Sequence, residues 1–71
     1  MKVGDIVCYR ASFLRSVGWY TDVPRNGVVE AITPLSEDRS VVYVRWCNTQ
    51  QLVGVLNTNL ILFNQRHLEP V

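Results

Sequence analysis

The 71-residue sequence lacks most features that mark membrane, metal-binding or catalytic proteins. No apolar run approaches the roughly 20 residues that a membrane-spanning helix needs, so no membrane association is expected. The single histidine and two cysteines show neither Cys-x-x-Cys nor paired-histidine spacing, which predicts no metal site. The four glycines are scattered, so no phosphate-cradling glycine loop exists. We therefore expect no cofactor and no enzymatic activity.

Neither positive nor negative charge predominates in the sequence. Seven basic and six acidic residues leave a net charge of +1, so no strong field draws the whole molecule to nucleic acid. The basic residues are almost all arginine, which stacks on rings and makes bidentate contacts. Cys8 and Cys47 lie in strand-like runs, and no secretory signal follows Lys2. These features favour a cytoplasmic protein with two buried, reduced thiols; a disulfide or a reactive thiol is the alternative.

Alternation of side chains is the strongest pattern present. Val42, Val44 and Trp46 fall on one face of the segment 41–46, as expected for a half-buried strand. Similar runs predict strands over residues 6–9, 28–32, 41–47, 52–56 and 60–63, with a 3₁₀ turn at 57–59 before the last strand. The predicted core comprises Val7, Tyr9, Val29, Ala31, Val42, Val44, Trp46, Val53, Val55, Leu60 and Leu62.

The connection between the first two strands is long for a compact domain. A short helical turn is predicted from Ser12, as its cap, to Val17, and Gly18 should end it. All 71 residues are assigned to one domain, with residues 65–71 as a polar tail able to fray.

Four short segments carry a resemblance to a known fold: Lys2–Val7, Gly27–Val29, Val44–Trp46 and Asn59–Leu60. Together they resemble the strand pattern of SH3-like small barrels of the KOW and Tudor kind, over nearly the whole chain. The resemblance implies an all-β fold: a single five-stranded SH3-like barrel with a long first loop and a 3₁₀ turn before the last strand.

In SH3-like barrels the ligand often lies along the first loop, the later loops and the 3₁₀ turn. The resemblance therefore implies a ligand-binding surface made of Phe13, Arg15, Trp19, Tyr20, Asp22, Asn48 and Asn57. Arg25 joins this set as a further arginine of the segment 10–25, whose one acidic residue is Asp22.

Three functions fit this surface. A non-enzymatic module could bind a protein partner through first-loop aromatics and arginines, the residue types of interface hot spots. A small barrel could instead bind single-stranded DNA or RNA by stacking and phosphate contacts, or it could assemble with itself through an open edge. A structural alternative is that Phe13, Val17 and either Trp19 or Tyr20 plug the open end of the barrel, because a small barrel needs such plugs. Neighbours on an extended segment face opposite ways, so Trp19 and Tyr20 are not expected to line one site together.

Overall fold

Five antiparallel strands form one sheet in the computed structural model, which describes residues 1–68. The elements in chain order are β1 (Ile6–Tyr9), α1 (Ala11–Val17), β2 (Gly27–Pro34), β3 (Ser40–Trp46), β4 (Leu52–Leu56), a first 3₁₀ helix (Asn57–Asn59), β5 (Leu60–Leu62) and a second 3₁₀ helix (Phe63–Leu68). The predicted all-β class, its five strands and the 3₁₀ turn before the last strand are confirmed.

The strands lie in the order β4-β3-β2-β1-β5. Strands β1 to β4 pair with their neighbours in sequence, and β5 returns to pair with β1. The first 3₁₀ helix joins β4 to β5, which are the two edge strands of the sheet. Within the described residues β4 and β5 do not pair with each other, so the sheet is open at both edges.

The core lies on the inward face of the sheet, where alternation places it. Its buried residues are Val7, Tyr9, Val29, Val42, Val44, Trp46, Val55 and Leu60. In β3, Val42, Val44 and Trp46 are buried while the intervening residues are half-buried, which confirms the predicted strand and its orientation. Each fully buried side chain of this size contributes about 1.5–3 kcal/mol through removal of apolar surface from water.

A β-bulge in β2 explains why Ala31, predicted to be in the core, is not. Val29 pairs with Val44, yet Ala31 pairs with Tyr43, so two residues of β2 face one residue of β3. The extra residue reverses the alternation. Ala31 is therefore exposed, and Ile32 takes the inward place and packs against the core.

Three further residues depart from the predicted burial. Val53 of β4 is 38% exposed and lines a depression beside the first loop, although Val55 of the same strand is buried, and Leu62 is only partly buried against the core. Cys8 is buried as predicted. Cys47 is exposed, because it follows the last residue of β3 and begins the turn toward β4.

Helix α1 occupies the predicted position but starts earlier than expected. It begins at Ala11, and no side chain caps its first turn, so Ser12 is not the cap. Gly18 ends it as predicted: φ is 69°, a left-handed conformation that glycine adopts without a Cβ penalty. The amide of Trp19 then donates to the carbonyl of Leu14 at 3.0 Å, which directs the chain back over the helix.

The C-terminal segment folds back against the sheet. Residues 65–68, expected to belong to a frayed tail, form the end of the second 3₁₀ helix, which packs against β1 and β5. The guanidinium carbon of Arg25 lies 5.7 Å from the centre of the Phe63 ring. This contact ties the helix to the start of β2. Residues 69–71, also assigned to the tail, lie outside the described residues.

Candidate functional site

Four aromatic rings form a continuous cluster where the first loop meets the sheet. Tyr9, at the end of β1, stacks on Trp46 with ring centres 4.4 Å apart. Phe13 of α1 stacks on Tyr9 at 5.3 Å, and Trp19 tilts against it at 5.1 Å. Such pairs contribute about 0.5–1.5 kcal/mol each beyond area burial. The cluster therefore holds α1 and the first loop against the core.

Tyr9 and Trp46 form the buried floor of this region. They are 8% and 3% exposed. Burial raises the pKa of the Tyr9 hydroxyl, and the nearby Trp46 indole N–H partly opposes that shift. This N–H has no partner with hydrogen-bond geometry among residues 1–68, so its interaction with Tyr9 is looser than a hydrogen bond. Since both rings are buried and Tyr9 stacks on Phe13 as well as on Trp46, a ligand would contact only their exposed edges.

Trp19 is fixed between the core and the surface. Its indole N–H donates to the Thr21 carbonyl at 2.8 Å. Asp22 follows with φ of 58°, a left-handed conformation that aspartate tolerates better than most residues. The loop thus turns sharply on both sides of Trp19, and the half-buried ring is exposed to two neighbouring depressions.

The first depression, which we call the amide groove, lies between the first loop and the β3–β4 turn and encloses about 340 Å³. It is lined by Tyr9, Trp19, Asp22, Pro24, Trp46, Asn48, Thr49, Gln51 and Val53. The walls combine aromatic surface with a carboxylate, two side-chain amides and a hydroxyl. Such a mixture offers both donors and acceptors to a ligand.

The second depression, which we call the arginine pocket, lies on the other side of Trp19 and encloses about 330 Å³. It is lined by Ala11, Leu14, Arg15, Trp19, Tyr20, Val23 and Arg66. Tyr20 is 74% exposed, in contrast to the half-buried ring of Trp19 beside it. The two rings therefore differ in exposure, yet both line this pocket, contrary to the expectation that neighbours on an extended segment would not line one site together. No carboxylate is among the described residues that line this pocket.

Five of the eight predicted site residues come together on these two depressions. Arg15 and Tyr20 line the arginine pocket, Asp22 and Asn48 line the amide groove, and Trp19 lines both. Phe13 instead packs against the core through Tyr9, as the structural alternative expects, whereas Val17 is mostly exposed and does not plug the core.

Arg25 and Asn57 lie elsewhere. Arg25 contacts Phe63, as described above. The side-chain oxygen of Asn57 accepts a hydrogen bond from the Ser40 amide at 3.1 Å. Its amide nitrogen donates to the Asp38 carbonyl, also at 3.1 Å. Asn57 thus fastens the β2–β3 loop to the first 3₁₀ helix.

The sequence did not predict Arg66 as a site residue. It belongs to the segment expected to fray, and no local pattern shows that this segment folds back beside α1. Thr49 and Gln51 were also missed, although the polar run between β3 and β4 gave a signal for them. A turn bordering the first loop brings all its polar side chains to one place.

A depression of about 530 Å³, larger than either of these two, lies apart from this region between Asp5, Ile6, Leu62, Phe63 and Asn64. The carboxylate of Asp5, its charged group, already accepts a hydrogen bond from the Lys2 amide at 2.8 Å. Volume without converging polar groups is a weaker sign of a site than the chemistry around Trp19.

Within residues 1–68 no three metal-ligating side chains cluster, and no helix is long and apolar enough to cross a membrane. Comparison of the chain with known proteins found no matching protein family, no matching curated protein and no matching solved structure. The geometry around Trp19 is therefore the basis for a functional proposal.

Proposed function

We propose that this chain is an SH3-like barrel that acts as a non-enzymatic interaction module and binds a protein partner. The binding surface, which we call the Trp19 surface, consists of the amide groove and the arginine pocket. Three features support the barrel assignment: the strand order β4-β3-β2-β1-β5, the long connection between β1 and β2, and the 3₁₀ helix before β5.

The observation that carries the proposal is the placement of exposed Tyr20 and Arg15 beside a half-buried Trp19 shared by two depressions. Trp, Tyr and Arg dominate the residues that contribute most to protein–protein binding. Trp19 is already fixed by its hydrogen bond to Thr21, so little side-chain freedom is lost when a partner covers it. The lining residues of both depressions include no cysteine or histidine, which favours binding over nucleophilic chemistry.

Single-stranded nucleic acid is the second candidate, because Arg15 and Arg66 flank an exposed aromatic ring in the arginine pocket. A base could stack on Tyr20 for about 1–3 kcal/mol while the arginines hold phosphates. Two features make this candidate weaker. Asp22 lies on the same surface, and a net charge of +1 gives no wider field to support a polyanion.

Self-assembly is favoured by a different surface. Ile6, Val28, Arg45 and Leu52 form one cross-strand row on the outer face of the sheet. The three apolar members are each between 44% and 52% exposed. This row predicts that Val28→Lys would shift any dimer toward monomer in sedimentation, whereas a wild-type monomer at high concentration would remove this candidate.

The proposal is tested by selecting a displayed random peptide library against the purified chain and against its Tyr20→Ala variant. Tyr20 is mostly exposed, so the variant should fold normally, with a stability change within about 0.5 kcal/mol. Val17→Ala is the matched control, because Val17 is 56% exposed yet lines neither depression.

We expect peptides to be enriched by the wild type and the control and to lose binding to Tyr20→Ala. Equal binding to Tyr20→Ala would contradict the proposed surface. If no peptide were enriched, and single-stranded oligonucleotides instead shifted the amide resonances of Arg15 and Tyr20 at low salt, the nucleic-acid candidate would replace the protein partner.

A further inference from the structure

We infer that the partner's bound segment is an extended peptide carrying an acidic side chain, whose carboxylate enters the arginine pocket between Arg15 and Arg66. The adjoining peptide backbone lies in the amide groove on the other side of Trp19. This inference rests on the proposed function and specifies the chemistry of the ligand.

The first argument is that, among residues 1–68, the lining of the arginine pocket carries two positive charges and no negative one. Arg15 comes from α1 and Arg66 from the second 3₁₀ helix, so the fold brings together two cations that are distant in sequence. The one ion pair formed within residues 1–68 joins Arg45 to Glu30, and neither pocket arginine has such a partner there. A carboxylate from outside would balance both charges, with the bidentate geometry that guanidinium groups favour.

The second argument is that the Trp19 surface changes character across the ring. One side carries two arginines, and the other side carries the Asp22 carboxylate with the amides of Asn48 and Gln51. A nucleic-acid strand bears a negative charge at every nucleotide, so a strand spanning both sides would place phosphates near Asp22. A peptide can carry its negative charge at one position only, which matches a surface with cations on one side.

The third argument concerns the backbone of the ligand. Side-chain amides and the Thr49 hydroxyl offer donors and acceptors at the rim of the amide groove. An extended peptide presents its own N–H and C=O groups at intervals of about 3.3 Å, and these groups need partners when the ring of Trp19 shields them from water. The groove therefore suits a peptide backbone better than a purely apolar ligand.

The test uses a peptide enriched by the wild-type chain in the library selection described above. Its affinity is measured by calorimetry for the wild type, Arg15→Gln, Arg66→Gln and Arg39→Gln. Arg39 is an exposed arginine of the β2–β3 loop. Arg39→Gln is the matched control, because it removes the same charge at a position that does not line the pocket. The same measurements are repeated with the acidic residue of the peptide replaced by its amide.

We expect enriched peptides to share an acidic position. Arg15→Gln and Arg66→Gln should each weaken binding about ten-fold, because each loses a charge-assisted hydrogen bond to the peptide carboxylate. Arg39→Gln should change affinity less than about two-fold, as expected for a screened distant charge. With the amide peptide, the two pocket variants should lose most of their effect, which identifies a direct pairing.

Two outcomes would overturn the inference. Enriched peptides without an acidic position that still lose binding to Tyr20→Ala would refute it and leave the proposed function intact. Equal weakening by Arg39→Gln and the pocket variants would also refute it, because overall charge would then explain the effect. Failure to enrich any peptide would instead remove the proposed function itself, and this inference with it.

Discussion

Gly27 provides the sharpest test of how closely β2 and β3 approach. It begins β2, is buried, and lies opposite Trp46. A Cβ atom at this position would stand 2.9 Å from the Arg45 carbonyl oxygen, 2.9 Å from Trp46 Cε3 and closer still to Val44 Cγ1. One of these atoms belongs to strand backbone and two belong to core side chains, so none can move away easily. Gly27→Ala should therefore force β2 and β3 apart.

The expected destabilisation is about 2–3 kcal/mol. Overpacking a core with one extra methyl group typically costs about 1–3 kcal/mol, and three simultaneous close contacts place this case toward the upper end. Domains of this size have a free energy of unfolding of about 4–10 kcal/mol. At about 4–8 °C per kcal/mol, the variant should melt about 10–20 °C below the wild type.

Thermal unfolding followed by circular dichroism measures this difference, and Gly54→Ala is the matched control. A Cβ at Gly54 would meet Val41 Cγ1 at 3.1 Å and Tyr43 Cε1 at 3.3 Å, which are side-chain atoms able to shift. The control should change stability by less than about 1 kcal/mol. If Gly27→Ala melted no lower than Gly54→Ala, the described close approach of β2 to Trp46 would be contradicted. The described position of Trp46 in the floor of the amide groove would then be contradicted as well.

Three other predictions follow from individual contacts. Asn57→Ala should lower the free energy of unfolding by about 1–2 kcal/mol in urea titration, because two hydrogen bonds to the β2–β3 loop are lost. The control Asn48→Ala should change this free energy by less than about 0.5 kcal/mol. Equal effects of the two substitutions would contradict the role of Asn57 in holding the β2–β3 loop. Burial raises the pKa of the Tyr9 hydroxyl above its unfolded-state pKa of about 10. The free energy of unfolding should therefore fall as pH rises from about 10 through the raised pKa of the folded state. Tyr9→Phe should reduce that alkaline loss, and an unchanged loss would exclude Tyr9 as its source. The hydrogen bond from Arg45 lowers the pKa of the Glu30 carboxyl. The small contribution of this pair to folding stability should therefore be present above about pH 4.5 and lost as pH falls. The melting temperature of Glu30→Gln should therefore vary less with acid than that of the wild type, and added salt should reduce the difference.

Much of the fold could be predicted because it depends on local patterns. The bounds of β1, β4 and the first 3₁₀ helix agree with the sequence prediction, since each lies between strong turn signals or polar residues. The bulge in β2 could not be predicted, because nothing in the run from Val28 to Ile32 marks an extra residue. One inserted residue was enough to move Ala31 outward and Ile32 inward.

The candidate site was only partly predictable for a different reason. Arg15, Trp19, Tyr20 and Asp22 follow one another in the first loop, so a sequence pattern could group them. Arg66 joins them only because the second 3₁₀ helix packs against β1 and β5, and that packing depends on contacts between distant parts of the chain. Two arginines that come together only in the folded chain produce no pattern in the local sequence.

Trp19 contributes both to the fold and to the proposed binding surface, so its removal cannot separate the two. Its ring packs against Tyr9 in the core, its N–H fixes the loop through Thr21, and its outer surface borders both depressions. Removal of this ring would loosen the loop and the binding surface together, so loss of binding by Trp19→Ala would not show what the ring contacts. The side chains of Tyr20 and Arg15 are both exposed and lie outside the core. Changes at these two positions act on the surface alone, and they therefore separate recognition from folding.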